Sequence, residues 1–168
     1  MNMKISVDIK KSDIVKLNIW LALKSKGTYS LIVIVFAALW AYAIFKHGVP
    51  QTTEKWVVTF LIALTSGLAA AILGLATNLL QILLSSSVEN GVLGLHEYEI
   101  SEGGLYEKTA ANEAKTMWKG ITDIRKLRQY MLIQIAPGLF HVIPNSSFDS
   151  EEEFRNFYLA SRKFWKDA

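Results

Sequence analysis

Cysteine is absent from all 168 residues, which excludes disulfides, thiolate catalysis and Cys-based metal sites. Histidine is scarce. His47, His96 and His141 are scattered over unlike segments, with no i,i+4 pair and no HExxH arrangement, so no metal site is expected. There is no GxSxG elbow, GxxxxGK loop or GxGxxG turn either. With no catalytic constellation to assemble, a non-enzymatic protein without a cofactor is expected. The most telling scarcity is that of charge. Thr28–Phe45 forms an 18-residue run and Trp56–Leu84 a 29-residue run with no charged side chain. An uncharged apolar stretch of about 18 residues or more is long enough to cross a bilayer as helix. Helix also lets a single segment satisfy its own amides where water is missing.

The apolar fraction is 51%, and the charge is unevenly spread. Residues 1–88 carry eight Lys/Arg and three Asp/Glu, a balance of +5; residues 89–168 carry ten and twelve, a balance of −2. The basic excess thus belongs to the half that holds the apolar runs, which favours a topological role over nucleic-acid binding. Lys10, Lys11, Lys16, Lys24 and Lys26 precede the first run, against Lys46 and Lys55 between the two. The positive-inside rule then puts both termini of a two-pass membrane protein in the cytoplasm. Lys24, Lys26, Trp40 and Trp56 are the expected membrane-interface anchors.

Three segments follow: 1–27, an N-terminal strand and amphipathic helix; 28–88, a transmembrane helical hairpin; and 89–168, a cytoplasmic domain. In the second span Ala63, Gly67, Ala71, Gly74, Asn78 and Gln81 recur at three or four residues and share one helix face. Small residues let backbones approach closely in lipid, and amide side chains seek partners across such a contact. The seam is expected to pack on Ala37, Ala38 and Ala41 of the first span, or to mediate a homodimer. Ile5–Ile9 alternates like a short strand. The helix after Ser12 either lies among headgroups or packs on the C-terminal domain, whose sheet the strand would extend.

From about Gly91 the pattern changes to alternation. His96–Ile100 and Leu105–Thr109 flank a Ser101-Glu102-Gly103-Gly104 turn, a hairpin signal. Further strands are expected over 115–118, 121–127, 130–136 and 139–143, broken at Pro137-Gly138 and Pro144-Asn145. Ser150, with Glu153 three residues on, opens a helix with an aromatic stripe. Such an order predicts a small α+β domain, a curled antiparallel sheet capped by the C-terminal helix.

Two spans followed by Tyr98-Glu99-Ile100, Glu102-Gly103-Gly104-Leu105 and Trp118-Lys119-Gly120-Ile121-Thr122-Asp123-Ile124 resemble the bacterial YcxB-like family. So do Val142-Ile143-Pro144, Phe148 and the capped aromatic helix. The resemblance implies a pleckstrin-homology-like (PH-like) barrel, with no defined activity. Members typically place Lys or Arg after the Ile-Pro turn, where this chain has Asn145.

Lys115, Lys119, Arg125, Lys126 and Arg128 crowd into 14 residues and form the candidate contact for anionic lipid or a partner. The expected function is presentation of a cytoplasmic PH-like domain to a protein partner or lipid headgroups. The alternative is a membrane accessory or toxin-immunity protein acting through its hairpin. Membrane lipids are the expected partners, and nucleic acid is not.

Overall fold

The computed structural model describes residues 2–168. The chain divides into two units, Val15–Ser85 and the pair of segments Met1–Ile14 and Ser86–Ala168.

In the first unit, Ser25 caps α2 (Lys26–His47), its hydroxyl oxygen accepting from the Gly27 amide. Gly48 ends that helix at φ 76°, and after a short turn the chain returns as α3 (Thr53–Ser85). Both helices are long and apolar enough to cross a membrane. No residue of α2 is buried, and in α3 only Ala63 and Gly67 are. The hairpin closes through an aromatic ladder. Phe36 and Trp40 of α2 meet Phe60 and Trp56 of α3, with ring centroids 5.4 to 5.8 Å apart. Where Gly67 passes α2, a Cβ would stand 2.7 Å from the Ile32 carbonyl oxygen, so only glycine permits that approach. The helices therefore meet at Ile32 and Phe36. Ala37, Ala38 and Ala41, the expected partners of the seam, are exposed instead.

The second unit holds seven antiparallel strands in two sheets. β1 (Met3–Ile9), β2 (Gly94–Ser101), β3 (Gly104–Lys108) and β4 (Glu113–Thr116) form one, in that order; β5 (Asp123–Lys126), β6 (Tyr130–Ala136) and β7 (Leu139–Pro144) form the other. One curled sheet was expected from the sequence. The chain instead breaks between β4 and β5 at a 3₁₀ turn, Trp118–Gly120, and the two sheets do not join into a closed barrel. That turn explains the shorter strands: Trp118, expected at the end of a strand over 115–118, serves as a core anchor. Its indole N–H donates to the Ser101 carbonyl at 2.7 Å and its ring stacks on Phe164 at 5.9 Å.

β1 pairs along its whole length with β2, from Met3 opposite Ile100 to Ile9 opposite Gly94. The N-terminal strand thus extends a sheet of the C-terminal domain, and α1 (Lys11–Lys24), α2 and α3 all lie within the β1–β2 connection. Gly104, at φ 133°, sits where any Cβ would collide with the Thr116 carbonyl, which lets β4 lie close on β3.

α4 (Glu151–Lys166) covers the core formed by both sheets. Ser150 accepts from the Glu153 amide at 3.1 Å, while the Glu153 carboxylate reaches past the cap to the Asp149 amide at 2.9 Å. Phe154 and Phe157 are buried among Val7, Tyr98, Ile100, Met131, Ile133 and Ile143. The expectation of an aromatic stripe facing the sheet holds.

Candidate functional site

The five basic residues singled out from the sequence follow one another around the break between the sheets. Lys115 lies on β4, an outer strand of the first sheet; Lys119 lies in the 3₁₀ turn; Arg125 and Lys126 lie on β5, an outer strand of the second. Arg128 is in the turn to β6, where its carbonyl accepts from the Asn145 side-chain amide. All five are exposed, but they are not equivalent. Arg125 pairs with Asp123, and Lys126 reaches Glu151 at 3.1 Å while lying 4.9 Å over the Phe154 ring. Among the described residues no carboxylate pairs with Lys115, Lys119 or Arg128. These three leave their charge open to a ligand. A plainer role for Lys115 is to discourage edge-to-edge pairing of β4.

A second cluster escaped the reading of histidines as isolated. One oxygen of Glu107 (Oε1) accepts from the Tyr98 hydroxyl at 2.7 Å and from His96 Nδ1 at 3.0 Å, with His141 Nδ1 at 3.2 Å. His96 and Tyr98 come from β2, Glu107 from β3 and His141 from β7, so one carboxylate ties the two sheets together. Both Nδ1 atoms face the carboxylate as donors, which leaves both Nε2 atoms buried with no hydrogen-bond partner among the described residues. Burial alone would raise the Glu107 carboxyl. Hydrogen bonds from His141 and His96, attraction to His141 and the Tyr98 hydroxyl outweigh it and hold the group well below the usual carboxylate range. The Tyr98 phenol is pushed well above its ordinary value, first by burial and then by the Glu107 charge.

Part of this was available in the sequence. A two-residue turn at Glu102-Gly103 sets Ser101 opposite Gly104 and therefore Tyr98 opposite Glu107. Alternation then puts His96, Tyr98 and Ile100 on one face. The arrival of His141 depends on how the sheets pack and had no local signal.

In the helical unit the predicted positions separate. Ala63 and Gly67 are buried at the α2–α3 contact, Ala71 is half-buried, and Gly74, Asn78 and Gln81 are exposed. Lys24 and Lys26 flank the α1–α2 break, whereas Trp40 and Trp56 pair at the other end of the hairpin, 5.5 Å apart.

Residues 100–157 match the family model described as YcxB-like protein. The match starts within β2 and ends within α4, so the chain carries a YcxB-like domain with two long apolar helices N-terminal to it. No curated protein matches the chain.

Proposed function

We propose that this is a non-enzymatic inner-membrane protein. Its helical hairpin is the anchor, and its PH-like head engages anionic lipid headgroups at the cytoplasmic face. The observation that carries the membrane reading is the exposure of the two helices. Ile34, Ile72 and Leu73 are 64 to 67% exposed and Phe45 89%, on helices whose long central stretches hold no charge. In water such surfaces would coalesce; in lipid they need no cover. Four plus three antiparallel strands and a terminal helix support the PH-like reading of the head. The pairing of β1 with β2 supports a common side for both flanks of the hairpin, because neighbouring strands cannot stand on opposite sides of a bilayer. Lysine counting supports the cytoplasm as that side. For the head's contact, the open charges of Lys115, Lys119 and Arg128 are the supporting feature.

The absence of native cysteine makes the test direct. The full chain carrying Gln129→Cys, labelled with an environment-sensitive fluorophore, is placed in nanodiscs of phosphatidylcholine or phosphatidylglycerol. A blue shift in phosphatidylglycerol only, reversed by high salt and lost when the five basic residues are neutralised, is the expected result. Identical spectra in both lipids would refute lipid engagement and favour a protein partner for the head.

A further inference from the structure

The helical unit contains a groove of about 580 Å³ between α1, α2 and α3. Leu31, Leu68 and Leu75 wall it, and the methyl of Ala71 and the missing side chain of Gly74 leave it open. Ser25, Thr28 and Asn78 supply polar groups to its lining. Lys24 and Lys26 bracket Ser25, are exposed, and have no carboxylate partner among the described residues. The first turn of α2 begins at the same place and contains no acidic residue, so the positive end of the helix dipole adds to the two lysines.

We propose that this groove is a binding site for one anionic phospholipid, an acyl chain lying against the leucines and the phosphate resting between Lys24 and Lys26. Basic pockets between membrane helices bind anionic headgroups; here the two lysines flank Ser25, which lines the groove, without lining it themselves. A second copy of the chain fits less well. A two-fold axis along the membrane normal would bring the lysines of both copies to the same level, and like charges there repel. The inference rests on the hairpin being embedded in lipid but not on what the head binds. It assigns Gly74 and Asn78, two of the three exposed residues of the small-residue seam, to a lipid.

The test uses the full chain purified in mild detergent, supplied with phosphatidylglycerol or phosphatidylcholine and analysed by native mass spectrometry. One retained phosphatidylglycerol and no retained phosphatidylcholine is the expected result. The double variant Lys24→Gln/Lys26→Gln should lower retention by more than about tenfold. Gly74→Leu should abolish retention with both lysines intact, because its side chain grows into the space now open beside Leu31. Equal retention of the two lipids, or retention indifferent to both variants, would overturn the proposal. A chain that stays dispersed without detergent would overturn the membrane reading itself. A detergent-requiring chain that keeps no phosphatidylglycerol would overturn the groove site alone.

Discussion

The two units solve opposite packing problems. The head hides its large side chains: Tyr98, Ile100, Met131, Ile133, Phe154 and Phe157 are all at most 1% exposed. The hairpin hides almost nothing except Ala63 and Gly67, and shows its isoleucines, leucines and valines outward. Small residues at the helix contact and large ones outside are the inverse of a water-soluble core. One chain thus carries two inverse packing patterns. Its stability rests on buried apolar area and one buried polar cluster in the head, and on close backbone approach in the hairpin.

If the units are energetically separate, each can be damaged while the other survives, and the largest damage is expected at the Glu107 cluster. Glu107→Ala removes the acceptor shared by Tyr98, His96 and His141 and leaves buried donors unpaired. It should destabilise the head by about 3–5 kcal/mol. Tryptophan fluorescence of the full chain in micelles checks this, with hairpin helicity by circular dichroism unchanged. The effect has a defined acid side. The folded carboxyl lies below its unfolded value of about 4.3, so its contribution is complete above that pH. It drains away as acid protonates the folded cluster. The gap between wild type and variant should therefore narrow only below about pH 4.

Gly67→Val tests the opposite region. Its Cβ must displace the Ile32 carbonyl, at a cost of about 1–3 kcal/mol. Disulfide formation between cysteines introduced at Phe36 and Phe60 should fall, while the head's unfolding is unmoved. Ser150→Ala removes the cap of α4 and should cost about 1 kcal/mol, confined to the head.

The smallest effect is expected for Tyr130→Phe, which deletes the 3.2 Å hydrogen bond to Asp13, at about 0.5–1.5 kcal/mol. Burial, with the Asp13 charge and hydrogen bond, raises the Tyr130 phenol to about 12. Its contribution is therefore full below the unfolded value of about 10 and lost as pH climbs through about 12. In the variant the phenolate absorbance step near pH 12 should shrink by one tyrosine.

How far the sequence could be read follows from the range of each cause. The helices needed only the absence of charge over one segment. The strands of the head showed in alternation and in turns such as Pro137-Gly138, and α4 in Ser150 and its aromatics. The split into two sheets was hidden because nothing local marks the 3₁₀ turn at Trp118–Gly120, whose Trp118 indole is held by the distant Ser101 carbonyl. The contact of Gly67 with Ile32, in place of the alanines, depends on how two helices are rotated against each other, which no single helix encodes. His141 reaches Glu107 only across the sheets. The basic cluster was visible as a count, but its division into paired and open charges requires Asp123 and Glu151 in place.

The position of the helices inside the β1–β2 connection has a consequence for biosynthesis. β1 leaves the ribosome first, yet its hydrogen-bonding neighbour follows more than eighty residues later, after both apolar helices have been made. The head therefore cannot complete its sheet until the whole helical segment has been synthesised. A nascent chain stalled within α3 would leave β1 unzipped. Completion of that sheet is in this way a built-in receipt for synthesis of both helices.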